Sequence, residues 1–326
     1  MIEWLLVARS NRYGLTADTE IMAEAIRAAG GSCDTAGTRA RPWLDRLFGR
    51  RRARTVVHFE RAFPRWFSAA DRNFLIPNQE RFPERHIGRL RRIDRVLAKT
   101  HHAETIFSEM GVAAEWIGFT SRDRRDGGIG KRWDRFLHLA GGSTLKGTEA
   151  VLALWRQHPE WPELVLVQKA DNAPATVPAN VTLVSGYVDD AELKRLQNEC
   201  GIHLCPSLAE GWGHNIVEAM STGAVAIVTD APPMNELADE SCALMVAWNR
   251  SEPRHLGTCF HVDKAALAAA IETAIAMTNQ ERARLGKAAR ARYEEIDSGF
   301  RRRIGELVAQ SGRDGATSLA LARSGE

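Results

Sequence analysis

Apolar runs of three to seven residues alternate with helix-length stretches along most of this chain, and that alternation leaves few folds open to it. Residues 2–8, 55–59, 74–76, 95–98 and 115–118 read as buried strands. A helix over about 17–29 stops at Gly30-Gly31, where glycine supplies the left-handed turn that ends helices. A polar, glycine-rich stretch at 121–132 then reads as a linker. Beyond it the pattern restarts: strands at 136–140, 164–167, 181–184, 202–205 and 224–228 alternate with helices at 148–158, 190–199 and 215–222. Strands joined through helices pair in parallel. The expectation is an α/β chain of two doubly wound, Rossmann-like domains, 1–128 and 129–296, facing a central cleft. In such sheets ligands gather beyond the carboxyl ends of the strands, which puts the candidate chemistry in the loops that follow them.

At 326 residues the chain is long enough for two such domains. It holds no apolar run of about 18 residues, the length that spans a bilayer. The opening Met1-Ile2-Glu3-Trp4 has no basic leader and reads as a strand rather than a targeting peptide. Five cysteines without CxxC spacing point to reduced thiols and a cytoplasmic setting. No His or Cys pair has zinc-ligand spacing, so no metal and no cofactor is expected. Asp189-Asp190 is half of a metal-binding Asp-x-Asp pattern, but a helix cap followed by an acidic first turn accounts for it.

Charge is divided unevenly. Residues 1–130 carry 23 Lys and Arg against 16 Asp and Glu, and the remainder 21 against 25. The basic half is expected to face something anionic. No nucleic-acid-binding motif is present, so nucleic acid is not an expected partner, and an anionic membrane surface is a candidate one. The stretch 42–54 fits such a surface. Trp43, Leu44, Leu47 and Phe48 fall on one helical face, and Arg50-Arg51-Arg52-Ala53-Arg54 follows, the make-up of a helix lying in a lipid interface. The other reading is a helix packed on the sheet with a solvated basic end.

Residues 205–220, Cys-Pro-Ser-Leu-Ala-Glu-Gly-Trp-Gly-His-Asn-Ile-Val-Glu-Ala-Met, carry the densest chemistry. A strand ends at Cys205, a turn holds Glu210, Gly211 and Gly213, and a helix starting near His214 carries Glu218, eight positions after Glu210. A helix start offers unpaired N–H groups and partial positive charge. The segment therefore presents donors for phosphate or sugar oxygens and two carboxylates for hydroxyl groups.

This segment resembles the Glu-x7-Glu signature of the retaining GT-B glycosyltransferases, family four or group 1. Gly186-Tyr187-Val188-Asp189-Asp190-Ala191-Glu192-Leu193 is similar to the family's nucleobase turn, and Ala140-Gly141-Gly142-Ser143-Thr144-Leu145-Lys146-Gly147 to its phosphate loop. Residues 229–237 are similar to the loop after the next strand. The likeness covers 136–240 in order. Over the first domain it is limited to a first strand with the Gly14 turn and to Leu75-Ile76-Pro77-Asn78-Gln79-Glu80.

The resemblance implies a GT-B fold, with a helix at about 297–311 crossing back to the first domain ahead of a flexible tail to 326. It implies metal-independent transfer of a hexose, with retention, from a nucleotide diphosphate sugar to a saccharide or lipid-linked acceptor, in surface polysaccharide or glycoconjugate synthesis. Such an enzyme is cytoplasmic and able to sit peripherally at the inner face of the membrane. Glu210 and Lys146 are the implied catalytic residues: Glu210 holds a hydroxyl of the transferred sugar, and Lys146 neutralises the departing diphosphate. Glu218 accepts from the ribose hydroxyls. Gly213, His214, Asn215 and Ile216 offer backbone N–H groups to the donor, Gly141, Gly142 and Ser143 line its phosphates, and Gly186, Tyr187 and Val188 read the base. Asn11, Gly14, Asn78 and Glu80, in loops after strands of the first domain, fall on the acceptor side.

One departure matters. An Arg usually follows the first glycine of the phosphate loop, and here Gly141-Gly142-Ser143 stands instead. Lys131, Arg132, Lys169 or the hydroxyls of Ser143 and Thr144 are the available substitutes. His101-His102 opens a helix, and no role carries over to it. The alternatives are a nucleotide-sugar epimerase or a non-catalytic nucleotide-sugar-binding protein of the same fold. Epimerases of this shape lack the Glu210–Glu218 arrangement.

Overall fold

Two all-parallel sheets of six strands each account for the alternation. The computed structural model describes residues 2–9 and 14–323, and the chain divides into two units, Met1–Thr120 with Ile296–Glu326, and Ser121–Glu295. In the first unit the elements run β1 (Ile2–Ala8), α1 (Gly14–Ala28), β2 (Cys33–Gly37), α2 (Trp43–Leu47), β3 (Ala53–Glu60), β4 (Arg72–Pro77), β5 (Arg95–Ala98), α3 (His101–Glu109) and β6 (Ala114–Trp116). The sheet order is β2-β1-β3-β4-β5-β6, every pair parallel. Successive residues such as Val56 and Val57 are both buried. The sheet is covered on both faces, which is why its inner strands read as unbroken apolar runs.

The second unit continues with β7 (Arg132–Gly141), α4 (Thr148–Gln157), β8 (Glu163–Gln168), β9 (Val181–Ser185), α5 (Asp190–Glu199), β10 (Cys200–Cys205), α6 (His214–Ser221), β11 (Val225–Thr229), α7 (Met234–Leu237) and β12 (Ala243–Val246). A hairpin, β13 (Trp248–Arg254) with β14 (Gly257–Val262), precedes α8 (Lys264–Ala276). Strand order is β12-β11-β10-β7-β8-β9. Numbered from β7 this is the doubly wound 3-2-1-4-5-6 order, whose direction of winding reverses between β7 and β10. Phe136, Trp155, Leu164, Ile202 and Ile227 centre its core.

A single helix, α9 (Asn279–Arg323), replaces the separate helix expected at 297–311. It opens with a capping box that the sequence spells out: Thr278 Oγ1 accepts from Glu281 N at 3.2 Å, and Glu281 Oε2 from Thr278 N at 2.7 Å. From Ile296 onward α9 belongs to the first unit. There Phe300 packs on Phe119 with ring centres 5.0 Å apart. Arg303 donates through Nε to the Ile117 carbonyl at 2.7 Å and lies 4.0 Å from the Trp116 ring centre.

The chain passes between units at 120/121 and 295/296, where the sequence pattern places 128/129 and 296/297. Residues 121–126 are not a free linker. Arg124, only 6% exposed, and Asp126 bond to α5 and α6 of the second unit. No described helix is long and apolar enough to cross a membrane.

Helix α2 is held from beneath. Arg41, buried, donates to the carbonyls of Arg65, Ser68, Asp45 and Arg50, and Asp45 pairs with Arg52 at 2.8 Å. With Asp45 turned inward, the short helix leaves Trp43 67%, Leu47 67% and Phe48 66% exposed, and Leu44 and Arg46 are exposed beside them. The apolar face therefore does not pack on the sheet.

Candidate active site

The loops that follow β7 and β10 lie side by side at the carboxyl edge of the second sheet, where the winding reverses. Main-chain bonds join them. Leu208 N donates to the Leu145 carbonyl at 2.8 Å, and Phe260 N, in β14, donates to the Leu208 carbonyl at 2.7 Å. Gly147, at φ 75°, makes the closest approach: a Cβ there would collide with the Pro206 carbonyl oxygen. Only glycine fits both the conformation and the space. Below the loops, His138 Nδ1 faces the Leu204 carbonyl at 2.9 Å and Nε2 faces Thr148 Oγ1 at 3.0 Å. A carbonyl only accepts, so Nδ1 carries the proton and Nε2 takes the Thr148 hydroxyl, which pins the start of α4. Burial pushes His138 down to about 4, with nearby Lys146 acting the same way, and the ring stays neutral.

This scaffold brings three predicted residues together. Lys146 Nζ lies 2.5 Å from Glu210 Oε1 and 2.7 Å from Asn215 Oδ1. Asn215 is buried, and its Nδ2 has no acceptor among the described residues. Glu218, one turn further along α6, accepts from Gln197 Nε2 at 2.7 Å. The Cys205 thiol at the end of β10 registers all three charges. Burial raises it to about 12, Lys146 lowers it, and Glu210 and Glu218 raise it. The Cys205 thiol donates to the Asn215 carbonyl at 3.7 Å, so this strand end meets the start of α6 beside Lys146 and Glu210.

Helix α6 begins at Gly213, φ 113°, without a side-chain cap. A Cβ there would stand 2.8 Å from Leu237 Cδ1, so this turn too demands glycine. An uncapped helix start favours an anion. Ile216 differs from the expectation of donor contact, since its N–H is taken by the Gly213 carbonyl at 3.0 Å and its side chain is buried. His214 Nδ1 lies 2.8 Å from Ser121 Oγ.

The phosphate loop is organised from within. Ser143 Oγ accepts from Leu145 N at 3.1 Å, and the Gly141 and Gly142 carbonyls accept from Lys169 N and Asn172 Nδ2. Of the three cations named as substitutes for the missing Arg, two stand at the wrong edge. Lys131 precedes β7, where burial draws it down to about 8, and Arg132 opens β7 beside Asp134 and Glu199. Lys169 follows β8 at the carboxyl edge, beside Gly142, and pairs with Asp171 at 2.5 Å. After β9, Gly186 and Tyr187 are exposed while Val188 packs on the Leu137–Leu196 cluster. Asp189 caps α5 by accepting from Glu192 N, as expected of a helix start.

In the first unit, Asn11 lies outside the described residues and Gly14 opens α1. Asn78 and Glu80 follow β4. Asn78 Oδ1 accepts from Lys99 Nζ at 2.7 Å, and Glu80 is buried 3.6 Å from Arg81. Lys99, 1% exposed, also bonds Asp18 at 3.0 Å, a cluster that sequence reasoning missed because its members stand 81 positions apart. The His101 ring stacks on Trp116 with centres 4.2 Å apart, and its Nδ1 pairs with Glu104 at 2.9 Å.

The model of the family "Glycosyl transferases group 1" matches residues 172–292. Three solved structures are similar over almost the whole chain. A glycosyltransferase from Rickettsia africae is 13% identical over 95% of this chain and 98% of its own, with a TM-score of 0.71. HepE of Anabaena, solved with UDP and glucose, is 13% identical over 95% and 100%, at 0.68. Sucrose-phosphate synthase of Thermosynechococcus elongatus is 15% identical over 95% and 99%, at 0.70. Comparison with curated proteins finds no match. At these identities the likeness establishes the fold, the GT-B arrangement of two Rossmann-like units.

Proposed function

We propose that this chain, whose residues 172–292 match the group 1 glycosyl transferases, is a retaining hexosyltransferase. It takes a nucleotide diphosphate sugar as donor and a saccharide or lipid-linked molecule as acceptor, in surface polysaccharide or glycoconjugate synthesis. The observation that carries the reading is the meeting of Lys146, Glu210 and Asn215 at the switch point of the second sheet, against the uncapped start of α6. That arrangement offers fixed positive charge for a pyrophosphate and a carboxylate for a sugar hydroxyl within one span.

In this reading Lys146 shifts its contact from Glu210 to the β-phosphate as charge develops there, and the α6 start shares the load. Glu210 then accepts from a hydroxyl of the hexose, and Glu218 from the ribose. Lys169 supplies the second cation that the phosphate loop lacks. Positive charge comes from side chains and backbone, so the reaction needs no metal. The leaving phosphate oxygen takes the acceptor proton, and the sugar is delivered to the face the phosphate leaves. Asn78 and Glu80 of the first unit contact the acceptor.

Incubation with a panel of nucleotide sugars, followed by proton NMR of the anomeric signal, tests this directly. Retention without a trapped glycosyl carboxylate is expected. An inverted product overturns the mechanism, and release of no sugar from any donor overturns the activity.

The second part of the proposal is peripheral attachment of a cytoplasmic enzyme to an anionic membrane through α2. Its apolar residues are exposed together, and Arg46, Arg50 and Arg51 flank them. An apolar face ringed by arginine fits an interface of acyl chains and acidic headgroups.

A further inference from the structure

Arg124, in the segment that enters the second unit, is held by side chain and main chain alike. Its Nε donates to Gln197 Oε1 at 2.7 Å, one terminal nitrogen to Asp190 Oδ1 at 2.7 Å, and the other to the Asp190 carbonyl at 3.1 Å. Its main chain is fixed as well. Arg124 N donates to Ser221 Oγ at 3.0 Å, and its carbonyl accepts from Asn198 Nδ2 at 2.7 Å. Gln197, 1% exposed, passes the contact on, with Nε2 donating to Glu218 Oε2 at 2.7 Å.

The direction of this chain is forced. A guanidinium has donors only, so the Gln197 amide must turn its oxygen toward Arg124 and its NH2 toward Glu218. An oriented NH2 then holds one oxygen of the Glu218 carboxylate and leaves the other lone pairs for a ligand. The remaining arms of Arg124 fix Asp190, the first residue of α5, directly after the turn at 186–189. One buried guanidinium thus orients the amide that holds the Glu218 carboxylate and fixes Asp190, the residue that follows the turn at 186–189.

We infer that Arg124 and Gln197 are positioning residues for nucleoside recognition, aiming Glu218 at the ribose hydroxyls of the donor. This rests on the reading of Glu218 given above and extends it to two residues that touch no substrate.

The full-length chain, titrated calorimetrically with UDP, GDP and ADP and with their 2′,3′-dideoxy analogues, separates the two claims. Wild type should bind its preferred nucleotide roughly ten-fold or more tightly than the dideoxy form, as a hydrogen bond to a charged group implies. Glu218→Gln and Gln197→Met should each lose that discrimination, and the double variant should be no worse than Glu218→Gln alone. Gln197→Glu keeps the Arg124 contact and sets a second carboxylate against Glu218. It should bind weakly at pH 8 and recover as the pH falls. If Glu218→Gln keeps full discrimination, the ribose reading itself is wrong. If Glu218→Gln loses it while Gln197→Met and Gln197→Glu keep it, the positioning role is wrong and the ribose reading stands. A loss of stability without loss of discrimination in Gln197→Met likewise reduces the pair to scaffold and overturns the inference.

Discussion

Lys146 Nζ sits 2.5 Å from Glu210 Oε1, and the two residues belong to loops that follow different central strands of the second sheet. The ammonium and the carboxylate are thus paired with each other across the two loops. In the function proposed above, a pyrophosphate entering there would compete with Glu210 for the ammonium and release Glu210 to a sugar hydroxyl.

Removing the ammonium tests this exchange. Lys146→Ala should lower kcat for sugar transfer by about 10²–10³-fold, the usual effect of losing one preorganised donor at developing charge. Glu210→Gln should be slower than wild type while keeping measurable turnover. A Lys146→Ala enzyme within ten-fold of wild type at saturating donor would rule out the proposed role.

Two glycines with positive φ separate conformation from space. Gly30, at φ 86°, has nothing within 4 Å of the point where an added methyl would stand, whereas Gly147, at φ 75°, meets the Pro206 carbonyl. Gly30→Ala should cost about 1–2 kcal/mol, the left-handed penalty alone. Gly147→Ala should cost about 4 kcal/mol or more and abolish nucleotide binding. Equal urea midpoints for the two variants would show that the loops are not fitted to each other.

Acid should destabilise both units. Burial holds His58 and His138 down at about 4 and His203 at about 3, against about 6.5 in the unfolded chain. The unfolded state takes up protons first, so stability is full above pH 6.5 and falls as the pH drops from there toward 4. Each histidine contributes about 3 kcal/mol to the loss. Urea titrations at half-unit pH steps read the slope, and a flat profile between pH 6.5 and 4.5 contradicts it.

Vesicles test α2. Flotation with phosphatidylglycerol-containing vesicles should carry the protein, and pure phosphatidylcholine should not. Trp43→Ala with Phe48→Ala, or Arg50→Glu with Arg51→Glu, should cut binding at least ten-fold. These positions are exposed, so the melting temperature should stay close to wild type. Equal flotation by wild type and both pairs would sink the membrane reading.

What the sequence made legible follows from burial. β8 and β11 are covered on both faces, so their apolar runs could be read without context, and the glycines around Lys146 and Glu210 marked the turns between them. β2 escaped notice because it is an edge strand with Asp34 and Gly37 exposed. β13 escaped because all seven of its residues are exposed and it contains Pro253; only its partner β14 makes it a strand. Arg124 looked like part of a solvated linker, since nothing local distinguishes a buried guanidinium from an exposed one. The Thr278–Glu281 box was in plain view, and periodicity alone did not reveal where α9 begins.

The bond sequence Leu145–Leu208–Phe260 uses only main-chain atoms. A proline at 208 or 260 would delete an amide that this assembly needs, and the buried side chains of Leu145 and Phe260 add their own packing to it. The hairpin that looks like an appendage is in this sense a retaining wall for the two loops.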